Sequence, residues 1–350
     1  METLLKVLRE LGPFYYMENY GNMGDLLIGE GARQFFERYH LPYIDENDAS
    51  PTGKYNLVYD GGGRFVPYWC DVDECVNLLA NENIEKCVIL PHSIYGVDEF
   101  VACLDERHIV FCRERVSYDY CRSRNQRAQF YLADDMAFHL SLDELKTTPL
   151  HGENGNEAER AAAACIKSGL FARLHRGVKR ASQTVEINGE KKKVAFLLRV
   201  DGEKGNDYSS IATYDISGAW GYVKGGKMHY NAEILRQFSS ALKQVDIVVS
   251  DRLHACIMAY LSGREVYMLD NAYGKLSGVY QQSLKDKPNV HLLADGTLPP
   301  ELQEAWKKLN SPIKCVWLQL KAKIQWLYKK LRSKARWLVR EKLGITKRNH

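Results

Sequence analysis

A repeated unit constrains this chain more than any other feature: a short apolar run, then a loop of glycines or charged residues, then a helical stretch. Phe14-Tyr15-Tyr16 leads to Gly21-Asn22-Met23-Gly24-Asp25, and a helix is predicted from Leu26 to Tyr39. Asn56–Asp60 runs into Gly61-Gly62-Gly63-Arg64, and Cys87–Pro91 into His92-Ser93-Ile94-Tyr95-Gly96. His108–Cys112 is followed by Arg113-Glu114-Arg115, and Gln129–Leu132 by Ala133-Asp134-Asp135. Apolar strands alternating with helices imply a parallel sheet covered on both faces.

The character changes between about Ser141 and Glu190, where a polar stretch leads through an Ala-rich segment to a hairpin turn at Asn188-Gly189. The alternation then resumes: strand Val194–Val200, helix Asn231–Gln244, strand Val245–Ser250, helix Arg252–Leu261, strand Glu265–Leu269. The expected fold is α/β, with two Rossmann-like doubly wound domains facing a cleft, over residues 1–145 and 191–310. Residues 146–190 are expected to cross between them, and 311–350 to form a tail.

Charge is unevenly divided. From 311 to 350 there are twelve Lys or Arg against one acid, so within a net +4 the first 310 residues carry −7. That partition argues against a nucleic-acid partner for the body. The nine cysteines form no C-x-x-C pair and several lie in apolar runs, a usage suited to a reducing compartment. The apolar run in METLLKVLRELG is too short for a secretion signal, and no segment is long enough to span a bilayer, so the expected location is the cytoplasm.

The segment richest in chemistry is Ser250-Asp251-Arg252-Leu253-His254-Ala255, at a strand end where a helix begins. Ser250 or Asp251 is suited to cap that helix. Free backbone N–H groups there favour an anion, Arg252 can fork onto a carboxylate or phosphate, and His254 suits proton transfer near neutral pH. Asp25 stands at the start of the first loop's helix. Arg113, Arg199 and Lys275, the last after Asp270-Asn271-Ala272-Tyr273-Gly274, also follow strand ends, as do Asn22, Asp60, His92 and Asp135. In such folds the carboxyl edges of the strands line the ligand crevice, so these residues are expected to converge. The carboxylates are dispersed and the histidines lack ligand spacing. No metal site or cofactor is therefore expected, and a divalent ion at the donor is left open.

Taken in order, GNMGD, DGGG, LPHSIYG, CRERVSY, ADDMAF, SDRLHA and YGK resemble the polysaccharide pyruvyl transferase family over roughly residues 15–280. His92 stands where that family commonly has Gln. The resemblance implies a glycosyltransferase-B-like pair of domains, phosphoenolpyruvate as donor, and a sugar whose two hydroxyls become bridged by a pyruvate ketal. By motif it makes Arg252 and His254 active-site residues, with Asp25 and Arg113 next. His254 is expected as general acid/base, Arg252 with Arg113 as anion clamps, and Asp25 as the group that orients or deprotonates the acceptor hydroxyl. Arg199 and Lys275 are further donor-binding candidates; Asn22, Asp60, His92 and Asp135 are candidates for the acceptor. Rival readings are a sugar-nucleotide-dependent glycosyltransferase and a non-catalytic glycan-binding or scaffold module.

In the tail, Ile313, Trp317, Leu320, Ile324, Leu327, Leu331, Ala335 and Leu338 recur at helical spacing, widened by Trp326 and Trp337 and flanked by basic residues. A basic amphipathic helix of this kind suits an anionic membrane surface. Residues 313–340 are accordingly expected to hold the protein on the inner face of the cell membrane, with access to a lipid-linked saccharide acceptor as the functional sense.

Overall fold

The structure is a computed structural model. It describes residues 2–145 except 20 and 46–49, residues 171–217 except 206, 207, 209 and 211, residues 231–312, and the single positions 169, 316, 320 and 323. Helices α1 (Glu2–Leu11), α2 (Met23–Arg38), α3 (Val72–Leu79), α4 (Asp98–Cys103) and α5 (Arg115–Arg124) belong to the first half. They alternate with strands β1 (Phe14–Met17), β2 (Tyr43–Asp45), β3 (Tyr55–Tyr59), β4 (Ile84–His92), β5 (His108–Cys112) and β6 (Gln129–Leu132). The six strands form one parallel sheet in the order β2-β1-β3-β4-β5-β6.

The second half holds β7 (Ser182–Ile187), β8 (Glu190–Leu197), β9 (Ile247–Ser250), β10 (Glu265–Leu269) and β11 (Val290–Leu293) in the order β11-β10-β9-β8-β7. Helices α6 (Asn231–Leu242), α7 (Leu253–Leu261), α8 (Lys275–Val279) and α9 (Pro300–Leu309) accompany it. Strands β8 to β11 are parallel, and β7 is antiparallel to β8. The β7 segment, read from the sequence as part of the crossover, is therefore the edge strand of the second sheet. Asn188 and Gly189 join it to β8 with φ of 54° and 79°, the left-handed pair that a two-residue hairpin requires.

Local chemistry explains where the elements start. Helix α1 buries Leu4, Leu8 and Leu11 on one stripe. Helix α2 opens on a reciprocal cap: Gly24 N–H donates to Asn22 Oδ1 at 2.7 Å, and Asn22 N–H donates to Asp25 Oδ2 at 2.6 Å. Strand β9 is buried at all four positions, as a central parallel strand must be. One apolar cluster runs from Leu4 and Phe14 through Leu27 and Phe35 to Leu197, Phe238 and Ile257, so the two halves share a core. Helix α2 of the first half packs against both α6 and α7 of the second.

The expected amphipathic tail lies outside the described residues apart from positions 316, 320 and 323, which are helical. Among the described residues no helix is long and apolar enough to cross a membrane. The hairpin supplies a stability test. A Cβ in the left-handed region costs about 1–2 kcal/mol, so Gly189→Ala is expected to lower the unfolding free energy by that much in urea titration, whereas Asn188→Gly changes it by a few tenths at most.

Candidate active site

A cavity of about 520 Å³ opens between the carboxyl edges of the two sheets, lined from the first half by Asn22, Asp25, Gly63 and Trp69 and from the second by Arg199, Arg252, His254 and Lys275 among others. One carboxylate sits beneath it. Asp135 is fully buried; its Oδ2 lies 2.7 Å from Arg113 Nη1 and 3.5 Å from His254 Nε2, the latter an ion-pair contact rather than a well-formed hydrogen bond. Its Oδ1 accepts from Ala137 N–H at 2.9 Å. Burial opposes its ionisation, but Arg113 and His254 outweigh burial and hold the carboxyl well below the ordinary carboxylate range.

Arg113 is also fully buried. Its Nε donates to Ser93 Oγ at 2.8 Å, and Ser93 in turn donates to Glu114 at 3.0 Å. Its Nη2 has no hydrogen-bond partner among the described residues. This nitrogen points at Gly63: a Cβ built there would lie 2.9 Å from Nη2 and 2.7 Å from Lys275 Nζ. The third glycine of DGGG is thus the only residue type that lets two cations approach the backbone from opposite halves. Burial, then the nearby Arg113 guanidinium, push the Lys275 ammonium down to about 8.

His254 stands in the first turn of α7, whose cap residue Arg252 makes no side-chain cap hydrogen bond. Of the two expected caps, Ser250 meets the helix start: its Oγ accepts from Arg252 N–H at 3.1 Å while donating to Leu197 O at 2.5 Å, and Asp251 Oδ1 accepts from Arg199 N–H at 2.8 Å, tying β9 to β8. The imidazole lies against Gly24, where an added Cβ would fall 2.3 Å from Nδ1. Asp25, one residue on, is half-buried in the cavity wall with its carboxylate on Asn22 N–H. Burial raises its pKa, and His254 partly offsets the rise.

Along the opposite wall the charges alternate. Arg252 reaches Asp215 at 2.5 Å and Asp201 at 2.6 Å; Arg199 reaches Asp201 and Glu203, each at 2.7 Å. Both guanidinium groups, Arg252 expected as an anion clamp and Arg199 as a donor-binding residue, line the cavity with carboxylate partners already in place. Two acceptor candidates lie elsewhere than expected. Asp60 is wholly buried and accepts from Gly61 N–H at 2.7 Å, and burial raises its pKa well above normal. His92 is wholly buried against Phe65, with ring centroids 4.3 Å apart and Nε2 accepting from Arg64 N–H at 3.2 Å. Neither reaches the cavity surface, and Asp135 meets Arg113 and His254 from below; all three shape the floor. Asn22 does line the cavity.

Comparison with known proteins now bears on this geometry. The sequence profile of the family described as polysaccharide pyruvyl transferase matches residues 22–273. The chain belongs to that family. It is 25% identical to the provisionally named pyruvyl transferase EpsO of Bacillus subtilis (strain 168) over 334 residues, which is 89% of this chain and 95% of that protein. It is similar to the crystal structure of an uncharacterized protein from Klebsiella pneumoniae subsp. pneumoniae NTUH-K2044, with a TM-score of 0.61 and 25% identity, covering 84% of this chain and 96% of the other.

For this pyruvyl transferase, the sequence reading missed Glu203, Asp201, Asp215 and Trp69. Glu203 is the most connected of them: it takes hydrogen bonds from Trp69 Nε1 of the first half and from Tyr273, and pairs with Arg199. No group of His, Cys, Asp and Glu among the described residues is arranged to hold a metal ion. Removing the central carboxylate tests the arrangement. Asp135→Ala strands a buried guanidinium and is expected to cost about 3–5 kcal/mol of unfolding free energy in urea titration.

Proposed function

We propose that this transferase takes pyruvate from phosphoenolpyruvate and attaches it as a ketal to two hydroxyls of a sugar in a polysaccharide precursor, releasing phosphate. The observation that carries this reading is the unpartnered, buried Arg113 Nη2 beside Lys275, with His254 sharing the same carboxylate. Phosphoenolpyruvate bears its carboxylate and its phosphate ester on the same carbon, C2. Lys275 on the cavity wall and Arg113 directly beneath Gly63 offer two cations from opposite halves, and the start of α7 adds backbone N–H groups, which together suit such an anion. A glycosyltransferase-B-like arrangement, with the donor held between two Rossmann-like domains, agrees with this placement.

The chemistry follows from the groups at hand. A proton delivered by His254 to the methylene carbon leaves an oxocarbenium-like centre at C2, stabilised by the adjacent carboxylate. The first sugar hydroxyl attacks C2 and loses its proton. The C2–O bond to phosphate then breaks, and the second hydroxyl closes the ketal. Of the two hydroxyl protons lost, one balances the proton now on the methyl group and the other leaves on phosphate. Asp25, a cavity-lining carboxylate with a raised pKa beside His254, takes a hydroxyl proton. Asp135 keeps the imidazole oriented. Arg199 and Arg252, each bound to two carboxylates, position the acid-rich wall rather than the donor. The basic tail, in this reading, brings the enzyme to an anionic lipid surface; each basic residue near such a surface contributes about 1 kcal/mol.

Two measurements test the reading. Phosphate release from phosphoenolpyruvate with a glycan acceptor is expected to fall at least 1,000-fold in His254→Ala while circular dichroism is unchanged; retained turnover would defeat the role. The Lys275 ammonium, lowered in the folded protein, is charged below about 8 and lost above it. Accordingly kcat/KM for phosphoenolpyruvate declines as pH rises through about 8, and Lys275→Arg moves that limb to higher pH. A limb that stays in place sets Lys275 aside as the donor cation.

A further inference from the structure

Two consecutive aromatic residues at the cavity mouth have no part in the chemistry above. Tyr68 and Trp69, on the loop between β3 and α3, are 52% and 53% exposed, in a chain that buries most of its large apolar side chains. They do not hang loose. Trp69 Nε1 donates to Glu203 across the gap between the halves, and its backbone N–H donates to Val66 O at 3.0 Å. The Tyr68 ring faces Tyr273 of the second half with centroids 6.4 Å apart and planes 22° from parallel. An indole anchored by its nitrogen and open on its face is a preorganised contact surface, since binding has little further ordering to supply.

What lies on either side identifies the occupant. Trp69 borders the catalytic cavity on one side and, on the other, a shallow groove whose wall includes Asp71, Asp73 and Glu99. The groove's lining has three carboxylates and no cationic side chain. That charge repels an anionic lipid headgroup or a phosphate. It suits a neutral polyol, whose hydroxyls donate to carboxylates while the C–H face of a pyranose lies on an aromatic ring. Because Trp69 lines both the cavity and the groove, a ring lying on its groove side is a neighbour of the one held in the cavity.

We propose that Trp69, with Tyr68 beside it, forms a saccharide platform for the sugar adjoining the pyruvylated one, so that the acceptor is an oligosaccharide or a longer glycan rather than a free monosaccharide. The proposal rests on the sugar-acceptor reading above and adds to it the length of the acceptor and the residues that read it.

The test uses the full chain and neutral β-linked gluco- and galacto-oligosaccharides of one to four residues, with binding followed by saturation-transfer difference NMR. Affinity is expected to rise at least 10-fold from the monosaccharides to the di- or trisaccharides, with the strongest transfer on the non-terminal ring. Trp69→Ala erases that increment and Trp69→Phe restores part of it; circular dichroism shows whether each variant folds. Equal affinity for one and three residues, no binding by any member, or an undiminished increment in a folded Trp69→Ala variant overturns the platform. Phosphoenolpyruvate affinity, measured by calorimetry on the wild-type protein, separates the two claims. Loss of donor binding with the length dependence intact counts against the donor reading alone, and the reverse against the platform alone.

Discussion

The site depends on one carboxylate oxygen. Asp135 Oδ2 is shared by a guanidinium from its own half and an imidazole from the other, and it does this without solvent contact. In such surroundings an unpaired charge is costly, so Arg113, Asp135 and His254 fix one another's positions. Arg113, beneath the cavity, and Lys275, on its wall, then approach Gly63 from opposite halves, with Arg113 Nη2 left unpartnered among the described residues. A second buried network does similar work further back. Arg33 binds Glu18 at 2.7 Å and Asp45 at 2.8 Å, joining α2 to the ends of β1 and β2. Through α2 that network steadies Asn22 and Asp25.

Much of the fold was legible because parallel strands are apolar on both faces and end in recognisable punctuation. β3, β4, β5, β6, β9 and β10 all lie where apolar runs meet glycine or charge, and the Asn188-Gly189 turn forms where its dipeptide indicated. β2, with three residues, and β11, with four, are too short to show a period. β7 is half polar because it is an edge strand, so it read as linker.

The site was legible only as far as its residues sit at strand ends. Position alone cannot distinguish a side chain that lines a cavity from one beneath it, which is why Asp60, His92 and Asp135 were grouped with Asn22. Their burial follows from contacts between separate strand-end loops: Asp60 with Asn19, His92 with Phe65, and Asp135 with Arg113 and His254. Glu203, Asp201 and Asp215 went unread for the opposite reason. Acids in a polar loop resemble solvated surface, and only the folded chain shows that Arg199 and Arg252 stand between them. Trp69 carried no signal either, because aromatic residues in a loop, even a neighbouring pair such as Tyr68-Trp69, ordinarily pack inward.

The way α2 is seated limits how this enzyme can admit a large substrate. The helix starts at the cavity with Asp25 and continues into apolar contact with α6 and α7, inside a cluster common to both halves. Swinging the halves apart like a clamshell would expose that surface to water at about 25 cal/mol for each Å² uncovered. The gap between the two sheet edges is therefore set by the seating of α2, and the halves keep one arrangement around the cavity.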